Sequence, residues 1–432
     1  MPCEVIFLSL DHPVSGAMIA FEKYNLDNGL TVILHKDTST PLVAVNVLYK
    51  VGSRNESSHK TGFAHLFEHL MFGGSENIPD FDTPIQEAGG DNNAFTNNDL
   101  TNFYDIVPAE NLETALWLES DRMLQLKFDQ RSLDIQKKVV VEEFKETSIN
   151  KPYGDFWHEL SDMAFKKHSY RWPTIGMKTE HIEDAELDDV KEFFKKHYRP
   201  SNAILVISGK IEIPHTKSLV EKWFGTIPSG ENYSSQIEAE PRQEAFRQKQ
   251  LHRNVPANAL YMAFHMPERK HKDFGVCDLI SDILASGRSC RFYQKLIRKN
   301  NVFSNIDAYL TGSMDPGLFI VEARLLDGQD IDKARKLIWV ELDMLKNELV
   351  SNEELQKVKN SLISSICYSE VSILHKAINL AYFEMLGDAG LINRQEDEYK
   401  DLVADDIQRV AREMFAEANC SELVYIKTES GS

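Results

Sequence analysis

The sequence predicts an α+β fold: two tandem, homologous α/β units, each a mostly antiparallel sheet packed against helices, joined by a linker. Three observations carry this. Strand-like and helix-like stretches interleave along both halves of the 432 residues. Short matches recur at nearly one spacing. LVAVNVLY (42–49) has a counterpart in ALYMAFHM (259–266), Asp188-Asp189-Val190 in Asp405-Asp406-Ile407, and Asn202 before AILVIS in Asn419 before SELVYI, each 217 positions on. IQKKVVVEE (135–143) resembles LQKVKNSLI (355–363) at nearly the same offset. Between the halves, residues 226–248 turn polar and rich in Pro, Gly and Ser, which is linker composition. The expected organisation is an N-terminal extension over 1–17, a first unit over 18–225, the linker over 226–248 and a second unit over 249–432.

The elements follow in order. EKYNLDNGLTVILHKD has Asn28-Gly29 between apolar runs, a hairpin signal. After Pro41, Val43, Val45 and Val47 alternate with Ala44, Asn46 and Leu48, as in a strand. TGFAHLFEHLMFGG reads as a helix stopped by Gly73-Gly74. A second helix is expected over Thr83–Ala88, ended by Gly89-Gly90. NNAFTNNDLTNFYDIVP reads as one strand, followed by helices over Asn111–Leu124, Asp129–Lys145 and Asp188–His197 and a strand over Asn202–Gly209.

Composition excludes several functions. The net charge of −19 argues against a nucleic-acid binder, which needs a basic face. No apolar run approaches the ~18 residues of a membrane span. MPCEVIFLSLDHPVSG has no basic start and a broken apolar run, so no secretory signal is expected. The five cysteines are odd in number and have no CxxC spacing, which fits free thiols in a reducing compartment. A cytoplasmic, bacterial setting is the expectation.

The chemistry lies in FAHLFEHL. His65 and His69 are four residues apart, hence one helical turn apart and only about 40° around the axis. Both imidazoles can therefore reach one ion. Glu68 emerges near the same face, where a carboxylate can take a proton from an attacking water. This is H-x-x-E-H, the reverse of H-E-x-x-H. A pair of histidines on a solvated helix face is common. Here, though, they lie among Phe63, Leu66, Phe67, Leu70, Met71 and Phe72, where unpaired burial is costly. A third ligand is needed, and VVVEEFKE offers Glu142, Glu143 and Glu146.

HLFEH, followed by GG-x-x-NA-x-T-x-x-D-x-T-x-F-Y and then VVVEE, resembles the pitrilysin–insulinase zinc peptidases, the inverzincins. Within them it is similar to the half-length, single-motif chains of the mitochondrial-processing-peptidase type. The resemblance spans about 20–430. It implies one Zn2+ per chain on His65, His69 and Glu143, with Glu142 the competitor for the third place, and Glu68 as general base. It also implies that the edge strand with Asn93, Ala94 and Phe95 aligns an extended peptide. Two departures stand out. A supporting glutamate seven residues before the third ligand is replaced by Gln136. The arginine–tyrosine pair that holds the substrate carbonyl keeps Arg291, but Ser304 stands at the tyrosine position and Tyr309 lies five residues later. Without the resemblance, Arg291 reads equally as a helix-surface charge. The second unit has no histidine between His271 and His375, so it carries no copy of the motif.

The expected activity is a zinc metalloendopeptidase acting on unfolded peptides or small polypeptides. The alternative is a non-catalytic or partner-dependent subunit of a processing complex. A peptide substrate is expected, with no nucleic acid and no membrane. Family members enclose substrate between four α/β units and this chain supplies two. It should therefore dimerise, with a heterodimer favoured over a homodimer and the missing tyrosine supplied by Tyr309 or by the other chain. The negative charge suits a chamber for basic or neutral peptides.

Overall fold

The computed structural model describes residues 18–230 and 236–428. The extension expected over 1–17 lies outside the described residues, as do 231–235 of the linker and 429–432. Two sheets carry the fold. The first has the order β1-β2-β6-β3-β5-β4, from β1 (Glu22–Asn25), β2 (Thr31–Lys36), β3 (Leu42–Tyr49), β4 (Asp91–Thr96), β5 (Thr101–Pro108) and β6 (Ala203–Gly209). The second has the order β7-β11-β8-β10-β9, from β7 (Arg247–Arg253), β8 (Ala259–Met266), β9 (Phe303–Leu310), β10 (Gly317–Leu325) and β11 (Cys420–Lys427). In each, one pair is parallel, β2 with β6 and β7 with β11, and the other pairs are antiparallel. Strand for strand the second sheet repeats the first without β1, as the 217-residue spacing requires.

The first unit's helices are α1 (Phe63–Phe72), α2 (Asp82–Glu87), α3 (Leu112–Leu124), α4 (Gln130–Phe144), α5 (Phe156–Ala164), α6 (Glu180–Glu183), α7 (Leu187–His197) and α8 (Ile213–Phe224). Those of the second are α9 (Phe274–Ala285), α10 (Ile331–Asn347), α11 (Asn352–Ser369), α12 (Ile373–Met385), α13 (Asp397–Lys400) and α14 (Ala404–Met414). The hairpin at Asn28-Gly29 joins β1 to β2. Gly29 takes φ 87°, and the Asn28 amide donates to the carbonyls of Phe224 and Ile227 at 2.8 and 2.9 Å, tying the turn to the end of α8. The run expected as a single strand over NNAFTNNDLTNFYDIVP is instead two, β4 and β5. The turn is made where the Asn97 carboxamide accepts the N–H groups of Asp99 and Leu100, a local alternative to the strand ladder.

The two units exchange a helix. α5 leaves the first unit to pack on β7, β8 and β11, with Leu160 and Met163 against Tyr261 and Leu423. α12 leaves the second unit to pack on β2, β3 and β6, with Ala377, Leu380 and Ala381 against Ala44, Leu48, Ile204 and Val206. Phe156 and Ile373, the first residues of the two helices, are again 217 positions apart. Both faces of β3 are consequently buried, which the apolar–mixed alternation alone does not convey. Asn46 on its α12 face is fully buried and exchanges amide hydrogen bonds with Asn102 at 2.8 and 3.0 Å. The linker segment is pinned as well. Gln243 is buried, Glu240 accepts the backbone N–H groups of Lys166, Lys167 and His168, and β7 already begins at Arg247.

Candidate metal centre

α1 buries Phe63, Ala64, Leu66, Phe67, Leu70 and Met71 in the first unit's core, which leaves His65, Glu68 and His69 on the half-buried side towards α4. Its start is set by Gly62, whose φ is 88° and where a Cβ would stand only 2.8 Å from the Ile175 carbonyl oxygen, which excludes a side chain. The buried Glu56 carboxylate accepts the N–H groups of Gly62 and Ala64 at 2.9 and 2.8 Å, a cap supplied from outside the helix. Burial pushes this carboxyl up to about 8, while those N–H donors favour the anion. α4 is capped by Asp129, which accepts from the Ser132 N–H at 2.9 Å. Glu143 lies at its other end, where the chain widens into a π-turn over Lys145–Ile149 and the Thr147 hydroxyl donates to the Glu143 carbonyl at 2.7 Å.

Three side chains converge. His65 Nε2 stands 3.2 Å and His69 Nε2 3.3 Å from Glu143 Oε2, and the two Nε2 atoms are 3.3 Å apart. Donor atoms bound tetrahedrally to one ion at ~2.0–2.1 Å are about 3.3–3.4 Å from each other, so this triangle fits a single zinc ion with its fourth position open. Among the described residues no other group of three such side chains comes so close. The two imidazoles hold the Glu143 carboxyl well below the usual range. Glu68 is turned aside. Its Oε2 accepts the Thr96 hydroxyl at 2.6 Å, and His65 Nδ1 is 3.8 Å away. Thr96 ends β4, whose other edge pairs with no strand among the described residues and which presents Asn93, Ala94 and Phe95 beside α1.

The remaining candidates lie apart from this triangle. Glu142 is exposed and paired with Lys145 at 2.7 Å, and Glu146 is also exposed, so neither joins the histidines. Gln136, two turns before Glu143, puts its amide 3.7 Å from where a Cβ on Gly73 would stand, next to the end of α1. Arg291 is spent on a bidentate pair with Glu354 at 3.0 and 2.7 Å within the second unit. Tyr309 donates to Glu322 at 3.2 Å, and burial and that carboxylate push its phenol up. Ser304 is exposed on β9 and donates to the Arg324 carbonyl. The resemblance places Thr96 on the substrate-aligning edge strand but not as a partner of Glu68, and it assigns no role to Glu56 or Thr147. Only Thr96 carried a signal, its place at the end of the expected edge strand.

Residues 31–176 match the insulinase family, peptidase family M16, and residues 184–362 match its domain described as the peptidase M16 inactive domain. The chain belongs to the M16 peptidase family. It is 29% identical over 413 residues to the zinc protease PqqE of Helicobacter pylori, covering 94% of this chain and 92% of that one. The crystal structure of a protease from Helicobacter pylori matches it with a TM-score of 0.90 at 27% identity, over 94% of this chain and 99% of that one. It is also 25% identical over 353 residues to the probable mitochondrial-processing peptidase subunit beta of Arabidopsis thaliana, over 79% of this chain and 66% of that one. The M16 match of the first unit contains His65, Glu68, His69 and Glu143. The inactive-domain match covers most of the stretch without histidine, 272–362 of 272–374.

Proposed function

We propose that this M16 chain is a zinc-dependent metalloendopeptidase that hydrolyses peptide bonds of unfolded peptides or small polypeptides. The observation that carries the reading is the triangle of His65 Nε2, His69 Nε2 and Glu143 Oε2 at 3.2–3.3 Å, with Glu68 beside it but held out of it. His65, His69 and Glu143 would hold the zinc ion, which would supply Lewis acidity for the scissile carbonyl and for an attacking water. Glu68 takes the proton of that water and passes it to the leaving amine. Thr96 keeps the Glu68 carboxylate in place by donating to it. The free edge of β4, through Asn93, Ala94 and Phe95, receives an extended peptide as an added strand. Arg291 and Tyr309 are already paired to Glu354 and Glu322, so a donor for the developing oxyanion is better supplied by a second chain. That favours a heterodimer, as does the subunit status in the name of the Arabidopsis relative.

The test joins elemental analysis to cleavage of a quenched peptide. Wild type and Glu68→Gln should each hold about one zinc per chain, and the variant should cleave about 10²–10⁴-fold more slowly. A wild-type chain without zinc would overturn the reading. Zinc with cleavage only after a homologous chain is added would assign the activity to a heterodimer.

A further inference from the structure

The turn between β4 and β5 follows directly on Thr96, the partner of Glu68, and it is held from three sides. The first side is the segment that leads into α1. The Asn97 and Asn98 carbonyls accept the N–H groups of Ser53 and Arg54 at 3.2 and 2.9 Å. The approach is so close that a Cβ on Gly52 would collide with the Asn97 and Asn98 backbone. The second side is the loop between α5 and α6. There the Tyr170 hydroxyl donates to Asp99 at 2.5 Å, and the Ser169 hydroxyl donates to the Arg54 carbonyl at 2.8 Å. The third side is the second unit, through the turn between β9 and β10. The Met314 N–H donates to Asp99 at 3.0 Å and the Asp315 N–H to the Tyr170 oxygen at 3.1 Å. The Arg54 guanidinium joins the two turns, 3.2 Å from Asp99 and 2.9 Å from Asp315. His168 accepts the Tyr170 N–H on Nδ1 at 3.0 Å, so its Nε2 carries the hydrogen that it donates to Asp315 at 3.1 Å.

This network joins the two elements whose mutual placement sets Glu68. Glu68 rides on α1 and Thr96 ends β4, and the hydrogen bond between them is 2.6 Å. Residues 52–54 lead towards the first element and clasp the turn after the second, and Glu56, two residues beyond Arg54, caps α1. Asp99 is three residues from Thr96 and is buried, as are Tyr170 and His168. Buried hydrogen bonds have a defined direction and length, and they locate a segment more narrowly than apolar contact does. The exchanged helices join the units by apolar contact; the bonds to the hairpin come from Met314 and Asp315, in the unit without the histidine pair.

We propose that Arg54, Asp99, Tyr170 and Asp315 are positioning residues, through which the second unit fixes Thr96 against Glu68 and so sets the carboxylate that takes the proton. The proposal rests on the peptidase reading, and the experiment separates the two. Tyr170→Phe removes one hydroxyl and keeps the ring. Asp315→Ala removes the second unit's side chain, and Asp315→Asn restores an acceptor. On zinc-loaded full-length chain with a quenched peptide, Tyr170→Phe and Asp315→Ala should each lower kcat about threefold to tenfold, with zinc content and KM nearly unchanged. Asp315→Asn should recover most of the loss. In a Thr96→Val background, Tyr170→Phe should lower kcat by less than about twofold further, because both changes act through one hydrogen bond. A merely structural defect would multiply there. Independently of turnover, amide hydrogen exchange over 91–103 should quicken about tenfold in Tyr170→Phe, with α3 unchanged. Non-additive losses with faster exchange in the hairpin support the network. Unchanged kcat, losses that multiply, or unchanged exchange overturns it and leaves the peptidase intact. A wild-type chain that cleaves nothing, alone or with a homologous chain, retires the peptidase and this role together.

Discussion

Glu68 and His69 are consecutive on α1, yet one faces Thr96 and the other Glu143. A helix turns about 100° per residue, so neighbours point apart while residues four apart converge. This is why the pairing of His65 with His69 could be read from spacing alone. The same turn separates Glu142 from Glu143, but there only the position of α4 against α1 selects Glu143. The hydrogen bond from Thr96 depends on a hairpin that closes 28 residues after Glu68, and no local pattern announces it. Thr96→Val should leave zinc content unchanged and lower kcat about tenfold or more with little change in KM. A donor to a carboxylate contributes about 1.5–3 kcal/mol, and steady-state kinetics with Thr96→Ser as the rescue would check it.

At the scale of elements, the exchanged helices decide how the units are held. α12 brings Lys376 to Asp37, just after β2, at 2.6 Å, with both side chains largely buried. Burial alone would raise the Asp37 carboxyl, but hydrogen bonds from Lys376 and Ser39 hold it well below its usual range. A carboxylate depressed in the folded state stabilises above its unfolded pKa of about 3.9, and that stability is lost as pH falls through the folded value. Wild type should therefore lose stability on acidification below about pH 4 more steeply than Lys376→Met, which should start about 1 kcal/mol less stable at pH 7. Thermal melting at pH 7 and at pH 3 measures both; equal slopes would remove the pair from the account. The sequence showed the strands of this region but not the helix above them, because α12 lies more than 160 residues beyond the last of those strands.

At the scale of the whole molecule, neither half is a complete body. The first sheet's outer face, with Ile33, Ala44, Leu48, Ile204 and Val206, is covered chiefly by α12 and the residues just after it, Leu386, Ala389 and Ile392, and the second sheet's counterpart chiefly by α5 with Phe165 and Tyr170. Residues 18–225 expressed alone should expose that apolar face and aggregate or bind an apolar dye, and co-expression with 226–432 should restore a soluble complex. A soluble, dye-silent 18–225 fragment would show that the exchange is dispensable. The repeat predicted two units correctly. It could not convey that they interlock, since an internal duplication repeats each helix without saying which sheet it covers.

What the sequence determined by itself was what short-range periodicity or a fixed spacing carries: strands such as β3, β6, β8 and β11, α1 with His65, Glu68 and His69, the tandem repeat, and the absence of a second histidine pair. The residue pattern left Glu142, Glu143 and Glu146 open and the resemblance implied Glu143, which the packing of α4 on α1 brings to the histidines; the tertiary structure alone decided what orients Glu68, how Arg291 and Tyr309 are engaged, and which helix closes which sheet. The reason is physical. Helix and strand periods are set by bonds a few residues apart, whereas a third ligand, a hydroxyl partner or an exchanged helix is chosen by packing between segments that the chain brings together only when it folds.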